Sequence, residues 1–191
     1  MNFRILDIVE DPILAGAGFG RQSLGKLLER VEEPAKPEVC FLDFAGIQVA
    51  TASYLRESVV GFRDFVRNRR SQLYPVVANA SQRIVEELED LLTAKGDVIL
   101  SCNRTTSGEV SNVKLLGKLD PKQELTFKLV SQYGETDAST LMNDPRNGEQ
   151  REDIKQTAWN NRLSSLVSKA LIMEISNGRS KRYRPLLSEG A

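Results

Sequence analysis

The segment over residues 39–62 constrains the fold of this chain more than any other. It contains an apolar run, then a turn with Thr51 and Ser53, and then an amphipathic pattern. Val39 to Phe44 is almost continuously apolar, which indicates a strand that is covered on both faces and central in its sheet. From Ser53 onward, apolar residues recur at steps of four, three and four, which predicts a helix with one buried stripe and with arginines facing water. The stripe comprises Leu55, Val59, Phe62 and Val66, and the arginines are Arg56, Arg63 and Arg67.

Strands and helices alternate through the rest of residues 1–102. Phe3 to Val9 predicts an opening strand, and the leucines of residues 24–31 mark one face of a helix. Leu73 to Ala78 predicts another strand, which is followed by a helix over residues 81–95 and a strand over residues 97–102. This order predicts an α/β layer in which helices pack on a sheet.

The pattern becomes mostly helical after residue 103. The polar, turn-rich segment from Asn103 to Ser111 fits either a hairpin or the end of a domain. We place a boundary between residues 116 and 117, which predicts an α/β domain over 1–116 and a mostly α domain over 117–191. A loop rich in helix breakers is expected over residues 144–153.

Three helices and a hairpin are predicted in the second domain. The helices begin near Pro121, Asp137 and Thr157, and the Asn177-Gly178 pair predicts a β-hairpin turn. The third helix has an apolar stripe of Trp159, Leu163, Leu166 and Ala170. A second face of that helix is small and polar, and comprises Thr157, Asn160, Asn161, Ser164 and Ser168.

This order resembles a winged helix-turn-helix domain of bacterial transcription regulators, on residues 157–171 and 176–185. Between residues 154 and 187 there are seven lysines and arginines and only one acidic residue, Glu174. Such a patch neutralises phosphates, and asparagine on an exposed helix pairs with adenine edges in the major groove. The expected DNA-binding residues are Thr157, Asn160, Asn161, Ser164, Arg179, Lys181 and Arg182. A winged helix that contacts protein is the alternative.

The run from Leu42 to Leu55, LDFAGIQVATASYL, resembles the STAS-like family (domain of unknown function 4325) and, more distantly, the anti-sigma-factor antagonists. The resemblance covers roughly residues 3–102. In the antagonists a GHKL-type kinase phosphorylates a serine at the start of a helix, and Ser53 matches that serine. Asp43 matches the aspartate of the preceding strand, and Thr51 stands where the antagonists usually have an aspartate. The resemblance implies phosphorylation or partner binding at Ser53, Thr51 and Asp43; the alternative is that Ser53 is only a helix cap.

Composition limits the other classes of function. Lysine plus arginine and aspartate plus glutamate are equal at 26 each, and there is no histidine. We therefore expect no overall field that attracts nucleic acid or membranes, no catalytic cluster, no metal and no cofactor. Cys40 and Cys102 have no metal-ligand spacing and cannot form a disulfide framework, which favours a reducing cytoplasm. We expect no signal peptide and no membrane span, because residues 1–4 lead directly into a strand-like segment and the sequence has no run of about 18 apolar residues.

These patterns predict a cytoplasmic, non-enzymatic regulator that joins a STAS-like protein-interaction module to a DNA-binding winged helix. The alternative is an adaptor in a partner-switching system that binds protein and no DNA. The expected partners are DNA and a protein, with a GHKL-type kinase or ATPase and a homodimer among the candidates. No membrane partner is expected.

Overall fold

The computed structural model describes residues 1–144, 155–177 and 180–187. The chain divides into two compact units, residues 1–118 together with Leu187, and residues 119–186. The predicted domain boundary between residues 116 and 117 stays a prediction, because a compact unit is not by itself an independently folding domain. Residues 145–153 of the predicted loop lie outside the described residues.

The first unit is built on a mostly parallel sheet. Its strands are β1 (Asn2–Arg4), β2 (Ile13–Leu14), β3 (Glu38–Asp43), β4 (Val49–Ala50), β5 (Leu73–Ala78), β6 (Val98–Arg104) and β7 (Val110–Gly117). Five of them form one sheet in the order β1-β3-β5-β6-β7, in which only β7 is antiparallel to its neighbour. The short strands β2 and β4 form a separate parallel pair. The α/β class predicted from sequence is therefore confirmed.

Helices connect the parallel strands. They are α1 (Ile5–Val9), α2 (Ala17–Glu29), α3 (Ala52–Leu55), α4 (Gly61–Asn68) and α5 (Gln82–Lys95). A π-helical turn, Arg56–Val60, continues α3 directly into α4. Each crossover leads in the same direction to the adjacent parallel strand, and apolar residues of the helices and of the sheet share one core. Leu42, Leu55, Phe62 and Leu88 are fully buried in the resulting core.

Three local predictions are wrong. The opening strand ends at Arg4, and Ile5–Val9 is helical because Ile5, Ile8 and Val9 are buried at a helical spacing. The strand Glu38–Asp43 lies inside the sheet as predicted, but buried and half-buried residues alternate along it, so its two faces are not equally covered. Arg63 and Arg67 are buried and do not face water, since both donate to backbone carbonyls.

The second unit contains helices and a hairpin. Its elements are α6 (Pro121–Tyr133), α7 (Ala138–Met142), α8 (Gln156–Ser168), β8 (Ile172–Asn177) and β9 (Ser180–Pro185). Asp120 and Asp137 cap α6 and α7 by accepting hydrogen bonds from the backbone N–H groups of the second and third residues of α6 and of the third residue of α7. β8 and β9 are antiparallel, and a bridge between Thr136 and Tyr183 adds a third strand position beside β9.

The predicted stripe of α8 forms the core of this unit. Trp159, Leu163 and Leu166 are buried, and α8 packs on α6 and α7. Ala170 is buried too, but it follows the end of the helix at Ser168 and has a left-handed φ of 55°. A hydrogen bond from the Gln123 side chain to Ser165 Oγ, 2.8 Å long, also joins α6 to α8. The polar residues of α8 therefore face outward, as the spacing predicts.

Candidate functional site

Asp43 lies at the carboxyl end of β3, where it joins the ends of neighbouring strands. Its Oδ1 accepts hydrogen bonds from the Ala45 N–H, at 3.0 Å, and from Asn79 Nδ2, at 2.9 Å. Asn79 follows β5 with a left-handed φ of 56°, and its Oδ1 accepts from the Arg104 N–H at 2.8 Å. These hydrogen bonds hold the carboxyl edge of β3, β5 and β6 together.

Thr51 and Ser53 lie together where β4 leads into α3. Thr51 Oγ1 lies 3.2 Å from Ser53 Oγ and accepts hydrogen bonds from the N–H groups of Gly16, at 3.2 Å, and Tyr54, at 3.4 Å. Thr51 is thus the N-cap of the helix, and the interpretation of Ser53 as the cap is wrong. Ser53 lies two residues after the cap and is half-buried.

The start of α3 already holds an acidic group. Glu87 of α5 accepts a hydrogen bond from the Ala52 N–H through its Oε2, at 3.0 Å. A carboxylate at this position satisfies a free backbone donor and complements the positive end of the helix. A phosphoryl group on Ser53 would therefore meet the negative charge of Glu87. Sequence reasoning missed this contact, because Glu87 lies among other acidic residues of an exposed helix, 35 positions from Ala52.

The structure brings Thr51 and Ser53 into contact and gives Asp43 other partners. Thr51 and Ser53 share a hydrogen bond, whereas Asp43 bonds with Ala45 and Asn79. The role predicted for the three residues as one partner-binding site stays a prediction.

A groove of about 590 Å³ lies between α8 and β9 in the second unit. The start of α7 also lines it, with the acidic Asp137 beside Ala138 and Ser139. The rest of the lining comes from α8, with Gln156, Asn160, Asn161 and Ser164, and from β9, with Ser180, Lys181 and Tyr183. We refer to it as the α8–β9 groove. Four residues predicted to bind DNA thus line one concave surface, and Asn160, Asn161, Ser164 and Lys181 are all exposed.

The remaining predicted DNA-binding residues lie elsewhere. Thr157 is exposed in the first turn of α8, and Arg179 lies outside the described residues. Side chains alternate between the two faces of a strand, so Arg182 points away from the face that Lys181 shares with Tyr183. The hairpin therefore does not present Lys181 and Arg182 to the same side.

Lys181 and Arg182 both have acidic partners. Lys181 Nζ lies 3.0 Å from Glu174 Oε1, and Arg182 Nε lies 2.9 Å from Glu135 Oε1. Glu135 precedes α7, and the bridge at Thr136 places it beside β9. The charge count over residues 154–187 omitted Glu135, whereas residues 119–186 contain eleven lysines and arginines and nine acidic residues. The excess of positive charge is thus much smaller than the C-terminal part of the sequence indicates.

We searched the described residues for groups of metal ligands and for reactive thiols. Within these ranges no group of three or more histidine, cysteine, aspartate or glutamate side chains could hold a metal ion. Cys40 and Cys102 are buried free thiols, and burial raises the pKa of Cys40 to about 12 and that of Cys102 to about 11. Both sulfurs therefore remain protonated and poorly nucleophilic near neutral pH.

No described helix combines the length and the hydropathy that a membrane crossing requires. No protein-family model matches this sequence, no curated protein matches it significantly, and no solved structure does so. The function therefore has to follow from the residues of the two candidate sites.

Proposed function

We propose that this protein is a regulator in which a STAS-like unit binds a protein partner and a winged-helix unit binds DNA. The observation that carries the proposal is the exposed polar face of α8, beside a β-hairpin in the α8–β9 groove. The cytoplasmic location expected from the sequence belongs to the same proposal.

The order of elements in the second unit supports a winged helix. Three helices precede a hairpin, and the bridge between Thr136 and Tyr183 supplies a short strand between α6 and α7. In a winged helix, the third helix enters the major groove and the hairpin lies against the neighbouring backbone. α8 and the β8–β9 hairpin take these two positions in the proposal.

The chemistry of α8 suits base recognition. Trp159, Leu163 and Leu166 hold one face of the helix in the core, so the opposite face is free to contact a ligand. Asn160 and Asn161 each carry an amide that pairs in bidentate fashion with adenine, and a serine hydroxyl bonds with several bases. The phosphates of the DNA backbone would be bound by the cationic side chains of the hairpin.

The strand-to-helix order of the first unit supports the STAS-like interpretation. β3 ends at Asp43, and the chain then passes through β4 to the Thr51 cap and Ser53. Ser53 is half-buried rather than fully enclosed, which leaves part of the residue accessible to a partner. Phosphorylation there would add charge beside Glu87 and would displace that carboxylate from the Ala52 N–H.

The ion pairs of the hairpin favour one alternative, an adaptor that binds protein and no DNA. Lys181 and Arg182 are each paired with a carboxylate, which reduces the attraction for phosphate. A polar groove with both signs of charge also suits a protein surface. Binding of duplex DNA by the purified chain separates the two functions.

The test of the proposal is a selection of bound sequences from a pool of random duplexes, followed by affinity measurements on the selected duplex. Asn161→Ala should weaken binding by about 1–3 kcal/mol and relax the choice of base at one position. Asn103→Ala, which removes an exposed asparagine of the first unit, is the matched control. It should change neither the affinity for the selected duplex nor the choice of base. Failure to enrich any sequence, with a stable protein complex formed in the absence of DNA, would support the adaptor.

A further inference from the structure

The β8–β9 hairpin carries the same kind of ion pair on each of its faces. Lys181 pairs with Glu174 on the face that adjoins the α8–β9 groove. Arg182 pairs with Glu135 on the opposite face. The hairpin therefore has two faces that could lie against a nucleic acid backbone, and the structure distinguishes them by their neighbours.

Only the Lys181 face is continuous with α8. Lys181 lines the same groove as Asn161 and Ser164, so a duplex read by those residues would bring its backbone to Lys181. The Lys181 side chain is 61% exposed, and its ammonium group is therefore free to exchange one anionic partner for another in water.

Glu174 is held more firmly than Lys181. Its side chain is only 23% exposed, and its Oε1 accepts a hydrogen bond from Ser176 Oγ at 3.2 Å. A phosphate that approaches Lys181 would thus meet a fixed carboxylate at the same position. This carboxylate pairs with the lysine in the free protein and repels the phosphate in the complex.

We propose that the Lys181 face of the hairpin, and not the Arg182 face, binds the DNA backbone, and that Glu174 competes with phosphate for Lys181. The inference rests on the proposed DNA-binding function of α8. It makes Glu174 a residue that lowers affinity for all DNA sequences alike, and specificity then depends more strongly on the base contacts of Asn160 and Asn161.

The test compares Glu174→Gln with Glu135→Gln in the full chain. Each variant removes one negative charge from one face of the same hairpin, and glutamine keeps the size and an acceptor oxygen of glutamate. Affinity for one short duplex is measured by fluorescence anisotropy at several salt concentrations, and thermal unfolding checks that both variants are folded.

We expect Glu174→Gln to tighten binding by about two- to fivefold at low salt, the range that exposed ion pairs span. Its log–log salt dependence should also steepen by up to about 0.9, the contribution of one phosphate contact. Glu135→Gln should change both quantities less. In a Lys181→Gln background the gain from Glu174→Gln should be smaller, because only the repulsion between the carboxylate and the phosphate is then relieved.

If the wild-type chain binds the duplex, two results would overturn the inference and leave the proposed DNA-binding function intact. These are an unchanged affinity of Glu174→Gln, and a gain with Glu135→Gln that equals or exceeds that of Glu174→Gln. If neither the wild-type chain nor any variant binds the duplex at low salt, the proposed function itself fails and the inference fails with it.

Discussion

Arg63 of α4 donates a hydrogen bond to the backbone carbonyl of Val98, at 2.7 Å, in the first residue of β6. Its guanidinium also lies 2.5 Å from Asp97 Oδ2 and 2.6 Å from Asp64 Oδ1. Arg63 is 3% exposed, so these acceptors replace the water that the cation loses on folding. This side chain therefore joins a helix to the sheet at the edge opposite to Asp43.

Replacement of Arg63 by alanine should destabilise the protein strongly. It leaves Asp97 without its buried cation and the Val98 carbonyl without its donor, a loss of about 3–5 kcal/mol for a broken buried pair. Asp64 is 52% exposed, and Asp64→Asn is the matched control with an expected loss below about 1 kcal/mol. Urea unfolding of both variants measures the two free energies, and similar losses would contradict the structural role of Arg63.

Two glycines of α2 should respond in opposite directions to alanine. A Cβ at Gly20 would lie 2.7 Å from the Tyr54 carbonyl oxygen, whereas a Cβ at Gly25 meets nothing within 4 Å. Gly20→Ala should cost about 1–3 kcal/mol because α2 must move away from α3. Gly25→Ala should stabilise the chain by up to about 1 kcal/mol through helix propensity. Thermal unfolding of the two variants tests this, and a stabilising Gly20→Ala would show that the helices are not in close contact.

Stability should fall at alkaline pH because of Cys40. Burial raises its pKa from an ordinary 9.0 to about 12, so between these pH values the unfolded thiol ionises while the native thiol stays protonated. The contribution is fully present below pH 9.0 and is lost as the pH rises towards 12. From about pH 8 to about pH 10 this group alone should lower the free energy of unfolding by about 1 kcal/mol. The decrease should be smaller in Cys40→Ala, and equal decreases in both proteins would contradict the prediction.

Charge at Ser53 should control the binding of a protein partner. Ser53→Asp places a carboxylate beside Glu87 at the start of α3, whereas Ser53→Ala only removes a hydroxyl. We expect the partner that co-purifies with the wild-type chain from its native cell to be retained by Ser53→Ala and lost by Ser53→Asp. Equal recovery with both variants would leave Ser53 with no role in this interface.

Local sequence patterns predict much of this fold. Alternating apolar segments predict the α/β class of the first unit, and the spacing of Trp159, Leu163 and Leu166 predicts which face of α8 is buried. The same patterns fail where contacts between distant residues decide the outcome. Arg63 is buried because it reaches the Val98 carbonyl, 35 positions away in the sequence, and helical periodicity has no information on that acceptor. Arg67 is buried because the chain turns back after α4 and brings the Leu73 carbonyl of β5 to it.

In the candidate sites, too, local sequence patterns predict which residues are exposed but do not predict contacts between separate segments. The pattern of α8 predicts that Asn160, Asn161 and Ser164 share an exposed face. The acidic partners of the basic residues were not predictable, because Glu135 reaches Arg182 only through the bridge at Thr136. Likewise, only the packing of α5 brings Glu87 to the first N–H group of α3.

The most direct test of the account is the salt dependence of binding between the full chain and duplex DNA. Binding should be measurable at low salt, and the logarithm of the association constant should fall linearly with the logarithm of salt concentration. Lys181→Ala should reduce the slope by at most about one, because Glu174 competes for the same ammonium group, and should weaken binding to specific and scrambled duplexes alike. No binding at low salt, or an affinity that salt does not change, would contradict DNA recognition by α8 and the hairpin.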